Sequence, residues 1–192
     1  LKIAEISAKP FIERNPQKRP FFHPSALLAR TARCMVNLAQ PKAGDLVLDP
    51  FCGTASILLE AGLIGCRVIG FDVQHQMVAG SLQNLHYYGL ESEGMVAADA
   101  RRPPITKTDC VVTDPPYGRS ATTLGLNLQD LVEEALLAME TMLPRGRRVC
   151  IASPESIGIG EIGKDIGLKH IESHLVYVHR SLTREIAVFE RA

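Results

Sequence analysis

The chain has 192 residues, 46% of them hydrophobic, which suits one domain with a single buried core. Its 21 basic residues equal its 21 acidic residues, so bulk positive charge is excluded as the means of binding nucleic acid. No apolar run is long enough to span a membrane and no signal-peptide pattern opens the sequence, which predicts a cytoplasmic protein.

Strand and helix patterns alternate along the chain. Residues 1–20 contain three prolines with charged residues between them, which predicts an irregular linker or lead-in. Helices are predicted over 27–38, with Ser25 as N-cap, and over 55–63, 75–88 and 126–142. Strands are predicted over 45–50, 67–72, 95–99, 109–114 and 147–152, and the extended runs 168–180 and 183–191 predict a C-terminal hairpin.

This order of elements indicates the fold class. Strands that alternate with helices form a mostly parallel, doubly wound α/β sheet whose ligands bind at the carboxyl ends of the strands. With its antiparallel C-terminal hairpin, the predicted sheet has seven strands and is similar to the Rossmann-like class I methyltransferase fold.

The five cysteines predict reduced thiols. They are odd in number, widely spaced and set among apolar residues, so we expect buried free side chains rather than disulfides. There is no Cys-x-x-Cys pair and no His/Cys cluster with ligand spacing, and we therefore expect no metal.

A rigid loop follows the fourth predicted strand. Adjacent prolines lack N–H groups and have fixed φ angles, so this loop offers a carboxylate, carbonyls without competing donors and an aromatic face. Such a set suits a planar group that carries an NH2, and it suits a phosphate or a metal poorly. The loop resembles the Asp/Asn-Pro-Pro-Tyr/Phe signature of amino-methyltransferases, and it consists of Asp114, Pro115, Pro116, Tyr117 and Gly118.

Acidic residues recur at the ends of the first four predicted strands, at Asp49, Asp72, Asp99 and Asp114. Because these ends lie at one structural level, we expect the side chains to line one crevice. Asp72 would accept both hydroxyls of a ribose. Asp99 would accept from an adenine amine while the N–H of Ala100 reaches a ring nitrogen. The alternative is that each aspartate only caps the turn or helix that follows it.

The loop after the first predicted strand runs directly into a helix. Gly53 allows close backbone approach to a ligand, and the helix N-terminus offers N–H donors. The loop lacks G-x-G-x-x-G, which argues against a pyrophosphate and hence against a nicotinamide-dependent dehydrogenase. Its expected cofactor residues are Asp49, Pro50, Phe51, Cys52, Gly53 and Thr54.

The motifs follow one another in the order of a known family. They are RPFFHPS at 19–25, LDPFCGT at 48–54, GFD at 70–72, DA at 99–100 and DPPYG at 114–118. Together they resemble the tRNA (guanine-N2) methyltransferase family that modifies guanine 10, found in archaea and as the eukaryotic catalytic subunit. The resemblance covers about residues 19–192 and implies S-adenosylmethionine as the cofactor.

In that family the first segment closes over the cofactor, LDPFCGT holds the methionine moiety and DPPYG is the catalytic loop. The resemblance therefore implies catalysis by Asp114, Pro115, Pro116 and Tyr117. It also implies that the cofactor contacts Asp114, Asp72, Asp99, Ala100 and the residues 49–54, together with His23, Pro24, Ser25 and Val73. The family loop usually continues with glycines, where this chain has Ala55 and Ser56, so we expect altered packing with retained binding.

The resemblance extends to partners. Family members carry an N-terminal THUMP-type RNA-binding region, and nothing in this chain corresponds to it. We expect residues 1–20 to lead in from such a missing region and residues 21–192 to form the catalytic domain. Binding of tRNA would then depend on the missing region, and an activator subunit is a further candidate partner.

The expected reaction is methylation of the exocyclic N2 of a guanine in tRNA, once or twice. Asp114 and the carbonyl of Pro115 would each accept an amine hydrogen, and Tyr117 would stack on the base. An alternative is DNA adenine-N6 or ribosomal RNA guanine-N2 methylation, because this kind of loop serves several amines. An alternative of another class is a non-catalytic module that binds a nucleotide or a partner protein.

Overall fold

A computed structural model describes residues 7–117, 127–180 and 182–192. Its strands are β1 (Leu46–Asp49), β2 (Arg67–Asp72), β3 (Gly94–Ala97), β4 (Cys110–Thr113), β5 (Arg148–Pro154), β6 (Leu168–His179) and β7 (Leu182–Arg191). They form one sheet in the order β3-β2-β1-β4-β5-β7-β6. β7 is antiparallel to β5 and β6, and all other neighbours are parallel. The predicted fold class is confirmed.

Helices cover both faces of the sheet. They are α1 (Lys9–Glu13), α2 (Ala29–Ala39), α3 (Ser56–Gly62), α4 (His75–Tyr87), α5 (Leu128–Met142) and α6 (Ile159–Asp165). Alternate residues of each strand point to opposite faces. Val47 therefore packs with α2, α3 and α4, whereas its neighbour Leu48 packs with α5 and α6. None of these helices in the described part of the chain combines the length and apolar composition needed to cross a bilayer.

Two predictions about individual elements were wrong. α6 was not predicted because it is short and contains two glycines, which are weak helix formers. Gly163 lies there because a Cβ at this position would come within 2.2 Å of the Phe189 ring. Ser25 does not cap α2, which begins at Ala29, and its hydroxyl instead lies 2.7 Å from Nδ1 of His23.

The cysteine side chains match the prediction in four of five positions. Cys52, Cys66, Cys110 and Cys150 are buried free thiols, and burial raises the pKa of Cys110 to about 12. Cys34 is also free but exposed, contrary to the prediction, because it lies on the outer face of α2.

The segment before residue 20 is folded where the structure describes it, so the predicted irregular lead-in was wrong in this respect. Pro10 lies in the first turn of α1 and Pro16 begins a 3₁₀ helix, Pro16–Lys18. Proline is tolerated at both places because the N–H groups of a first helical turn have no partner within the helix. Residues 1–6 lie outside the described residues.

Buried ion pairs attach this segment to α3. Glu60 of α3 is fully buried and accepts from Arg14 at 2.6 and 3.0 Å. Arg33 of α2 approaches the same carboxylate at 2.8 Å. The buried Arg19 donates from Nη1 to the Ser56 hydroxyl at 2.6 Å, at the position where the family usually has glycine. Glu60 thus neutralises two guanidinium groups and joins three chain segments.

We expect Glu60→Gln to lower the free energy of unfolding by about 3–5 kcal/mol, because two partly buried arginines lose a fully buried counter-charge. Urea unfolding followed by circular dichroism measures this change. The matched control is Glu161→Gln, which removes an exposed pair with Lys164 and should cost less than about 1 kcal/mol. Equal losses in the two variants would show that the buried pairs do not hold the segment.

Candidate active site

The candidate site lies at the carboxyl ends of β1, β2 and β4. β1 lies between β2 and β4, so the chain leaves β1 at the point where the strand order reverses, which is where open α/β sheets bind ligands. Asp49 ends β1, Asp72 ends β2 and Asp114 directly follows β4, as predicted. Asp99 does not end a strand, because β3 stops at Ala97.

Asp49 connects the loops that follow β1 and β4. Its carboxylate is buried and its Oδ1 accepts from the Thr113 hydroxyl at 2.7 Å and from the Phe51 amide at 3.2 Å. Burial raises the pKa of Asp49 to about 7, and the nearby carboxylates of Asp114 and Asp72 act in the same direction. Asp49 is therefore close to half ionised at neutral pH in the ligand-free chain.

Asp72 fixes the loop after β1. Its Oδ2 accepts from the Gly53 amide at 3.1 Å, and its Oδ1 accepts from the Gln74 amide at 2.9 Å. Gly53 has φ +50°, and a Cβ there would meet only the carbonyl oxygen of Phe51 at 3.9 Å, so the loop backbone faces open space. Ala55 has φ +62°, a left-handed conformation that suits the glycine usual in the family. Ala55 adopts this conformation without a glycine, and α3 begins directly after it.

Two polar residues of α4 support the same loop and were not assigned to the site by sequence analysis. The hydroxyl of Ser81 donates to the carbonyl of Gly53 at 2.6 Å. The side-chain amide of Asn84 donates to the carbonyl of Thr54 at 3.0 Å. Both residues are fully buried. The sequence did contain a signal for them. Two polar residues spaced three apart lie on one face of a helix, and where that face is buried they need hydrogen-bond partners.

Asn84 also holds the segment predicted to close over the cofactor. Its Oδ1 accepts from the Phe21 amide and its Nδ2 donates to the Phe21 carbonyl, both at 2.9 Å. The Phe21 ring lies against Gly80, where a Cβ would come within 2.1 Å of a ring carbon. His23 follows in this segment, and its charge opposes the rise in the pKa of Asp72 that burial causes. Pro24 is exposed beside it.

Asp99 has a partner that the sequence analysis did not assign to it. Arg101 donates to its carboxylate from Nε at 3.0 Å and from Nη2 at 2.6 Å. These bonds lower the pKa of Asp99. Arg101 also approaches Glu134 of α5 at 3.2 Å. Ala100 is buried beside this pair, and Val73 is exposed after β2.

Two side chains contact the carboxylate of Asp114, one from its own loop after β4 and one from β7. The hydroxyl of Tyr117 donates to Asp114 Oδ1 at 2.8 Å, and Arg184 of β7 approaches Asp114 Oδ2 at 3.4 Å. Pro115 is buried and Pro116 is partly buried, as expected for a stiff loop. Gly118, the last residue of the motif, lies outside the described residues, as do Leu126 and Ser181.

The crevice is an anionic site in a poorly solvated environment. Burial is the largest cause of the raised pKa of each of its carboxyl groups, Asp49, Asp72 and Asp114. A positively charged ligand would relieve this cost, because opposite charge favours the ionised form. Among the described residues, no three His, Cys, Asp or Glu side chains are grouped as a metal site.

The strand order, the loop after β1 and the stiff loop after β4 together define a class I methyltransferase fold. A family model described as an RMKL-like methyltransferase domain matches residues 16–186. The chain therefore belongs to the RMKL-like methyltransferase domain family.

Individual relatives support the resemblance drawn from the motifs. The tRNA (guanine(10)-N2)-dimethyltransferase of Methanothermobacter thermautotrophicus is 44% identical, over 99% of this chain and 56% of that protein. A probable tRNA (guanine(10)-N2)-dimethyltransferase of Methanothermococcus thermolithotrophicus is 33% identical, over 84% of this chain and 98% of that protein. The chain spans about half the length of several relatives that it matches.

Solved structures support the fold. TrmN from Thermus thermophilus superposes with a TM-score of 0.75 at 24% identity, over 88% of this chain and 50% of that chain. A putative RNA methyltransferase from Pyrococcus horikoshii superposes with a TM-score of 0.74 at 19% identity, over 97% of this chain and all (100%) of that chain.

The raised pKa of Asp49 makes stability depend on pH. Its folded pKa of about 7 lies above the ordinary value of 3.8, so its contribution to stability is lost as the pH rises through 7. Asp49→Asn keeps an acceptor for Thr113 and removes the charge. We expect the stability of the variant relative to wild type to increase between about pH 4 and pH 7 and to stay constant above that. Urea unfolding across this range measures the gain, and a difference independent of pH would contradict the assignment.

Gly80 provides a steric test of the Phe21 segment. We expect Gly80→Ala to displace the Phe21 ring, lower the free energy of unfolding by about 1–3 kcal/mol and speed proteolysis between residues 14 and 28. The matched control is Gly160→Ala on α6, where the added Cβ would meet nothing closer than 3.5 Å. The interpretation fails if both alanine variants resist protease and urea as well as wild type.

Proposed function

We propose that this chain transfers the methyl group of S-adenosylmethionine to the exocyclic N2 of a guanine in tRNA. The observation that carries the proposal is the Asp114 loop at the end of β4, placed beside the crevice formed by Asp49 and Asp72. The names of the relatives support tRNA as the substrate, guanine 10 as the position and one or two methyl groups as the product.

The residues of the crevice fit S-adenosylmethionine. When bound, this cofactor supplies a methyl group on a positively charged sulfonium. Asp49 and the loop around Gly53 would hold its methionine part, because they combine a desolvated carboxylate with open space above the backbone. Asp72 would hold the ribose hydroxyls with the lone pairs that its two backbone bonds leave unused. Asp99 would meet the adenine amine while Arg101 keeps it ionised.

Asp114 acts on the electronic state of the amine. The lone pair of guanine N2 is conjugated with the ring, so the nitrogen is a weak nucleophile. Asp114 and the Pro115 carbonyl would each accept one amine hydrogen, which favours a pyramidal nitrogen with an available lone pair. The nitrogen would become positive as its bond to the methyl carbon forms and the bond from that carbon to the sulfonium sulfur breaks, leaving a neutral thioether. A carboxylate beside the nitrogen would stabilise this charge by a few kcal/mol, and Asp114 would take up as a proton the hydrogen that it holds.

Tyr117 has to change partner for this to happen. Its hydroxyl occupies Asp114 Oδ1, an acceptor that the amine needs. We infer that the base displaces the hydroxyl and that the Tyr117 ring then stacks on it, which orients N2 toward the crevice. A guanine that is paired in the tRNA has to leave its helix to reach this loop.

Three statements about the whole protein remain predictions. They are the THUMP-type RNA-binding region that precedes this domain, the activator subunit and the cytoplasmic location. The family match and the fold concern the catalytic domain, whereas these three predictions concern other regions, partners and the location of the protein.

Inosine provides a direct test of the substrate group, because it is guanosine without the N2 amine. Two tRNA transcripts that differ only by guanosine or inosine at position 10 are incubated with the full-length protein and methyl-labelled S-adenosylmethionine. We expect label on the guanosine transcript alone. Equal labelling of both would reject N2 as the acceptor, and labelling of duplex DNA instead would favour the adenine alternative.

Asp114→Asn tests the acceptor carboxylate. We expect turnover on tRNA to fall about 10²-fold, because the charge that stabilises the developing cation is lost, with the affinity for S-adenosylmethionine changed less than about threefold. Single-turnover rates and calorimetric titration give the two quantities. The matched control is Asp165→Asn, an exposed aspartate at the end of α6, which should behave as wild type. Normal turnover in Asp114→Asn would remove Asp114 from the catalytic role.

A further inference from the structure

Arg184 is the cation closest to Asp114 among the described residues, and it comes from β7, near the end of the chain. Its Nη2 lies 3.4 Å from Asp114 Oδ2, and its Nε donates to the Tyr117 hydroxyl. The guanidinium carbon lies 5.4 Å from the centre of the Tyr117 ring. The side chains of Arg184 and Asp114 are only 12% and 14% exposed, so water screens their attraction weakly.

The backbone of Arg184 is held on both sides. It is opposite Pro154 of β5 and opposite Val176 of β6, so β7 is an interior strand at this point. Asp114, in contrast, lies in a loop that begins where β4 ends. The sheet therefore fixes the backbone of the arginine and brings its positive charge to the proline-stiffened loop that carries Asp114.

The surroundings of Asp114 make this charge necessary. Within the described ranges, the titratable groups that face it are Asp49 from β1, Tyr117 from its own loop and Arg184 from β7. Asp49 repels a second negative charge, and Tyr117 is a neutral donor. Burial raises the pKa of Asp114, and the positive charge of Arg184 is the main influence that lowers it. Without Arg184 the pKa of Asp114 would rise further, which favours a neutral carboxyl group that stabilises a developing positive charge less well.

The two oxygens of Asp114 have different partners. Oδ2 faces the permanently charged guanidinium, and Oδ1 accepts from the neutral Tyr117 hydroxyl. Both bonds have the carboxylate as acceptor, but only the contact with Arg184 joins two full opposite charges, so the incoming amine competes with a neutral donor at Oδ1 and with a cation at Oδ2. Arg184 therefore leaves Oδ1 as the oxygen available to the base.

We propose that Arg184 is a positioning residue for methyl transfer, which keeps Asp114 charged and orients its Oδ1 toward the base amine. The inference rests on the proposed function for the identity of the amine. The pairing of Arg184 with Asp114 is independent of that function and can be measured without substrate.

The first test measures the substrate-free chain. Carbon-13 NMR of the labelled aspartate carboxyl groups follows the titration of Asp114, which is assigned by its absence in Asp114→Asn. We expect Arg184→Gln to raise the pKa of Asp114 by about one to three pH units, and Arg184→Lys to restore most of the wild-type value. The matched control is Lys169→Gln, which removes an exposed charge from the far end of the same hairpin. An unchanged Asp114 titration in Arg184→Gln would overturn the inference.

The second test measures the reaction. We expect Arg184→Gln to lower kcat about 10²-fold near pH 7 while the KM for S-adenosylmethionine stays within about twofold. The deficit should shrink about tenfold toward pH 9, as Asp114 becomes ionised again, and Arg184→Lys should recover part of the rate. A loss that is equal at every pH and that lysine does not restore would indicate a purely structural role and overturn the inference.

These outcomes separate the two proposals. If the full-length wild-type protein methylates no guanine, the proposed function fails, and the Asp114 titration still decides the role of Arg184. If the wild-type chain methylates guanine and Arg184→Gln matches it at all pH values, only the Arg184 inference fails. Far-UV circular dichroism checks the fold, and Arg184→Met, which keeps the apolar stem, replaces Arg184→Gln if that variant does not fold.

Discussion

The hydrogen bond from the Thr113 hydroxyl to the buried Asp49 carboxylate is the interaction on which the site depends. It joins the end of β4 to the end of β1 at 2.7 Å, across the point where the strand order reverses. The loop after each strand is thereby held at one level, with the proposed cofactor on one side and the proposed base on the other. Since the bond is buried, little water competes for it, and its loss would separate the two halves of the site.

The charge distribution follows from that arrangement. Three carboxyl groups, Asp49, Asp72 and Asp114, lie at neighbouring strand ends, and burial opposes their ionisation. The cation that pairs with Asp114 is Arg184, which comes from β7 at the margin of this group. The middle of the crevice is left negative, which suits a ligand with a central positive charge. Burial raises the pKa of Asp49 to about 7, and the carboxylates of Asp114 and Asp72 act in the same direction.

Buried polar contacts attach the amino-terminal part of the chain to this centre. Asn84 holds both the Phe21 backbone and the Thr54 carbonyl, so the covering segment and the cofactor loop share one support. Glu60 brings Arg14 and Arg33 to α3. Buried polar groups have a high cost when unpaired, so such contacts specify one arrangement more sharply than apolar packing does. A displacement of the lead-in would therefore also shift the cofactor loop, because side chains of α3 and α4 connect the two.

The sequence by itself determined most of the strands and helices, the fold class and the position of Asp49, Asp72 and Asp114, because periodicity, proline geometry and strand ends are local properties. Only the tertiary structure decided how those carboxylates are partnered. Asn84 lies 63 residues from Phe21, and Arg184 lies 70 residues from Asp114. No local pattern specifies such pairs, because they exist only when the sheet brings distant strands and helices side by side. The ordered lead-in has the same explanation. In the sequence its charged residues are typical of a solvated linker, and only the fold places Glu60 beside them.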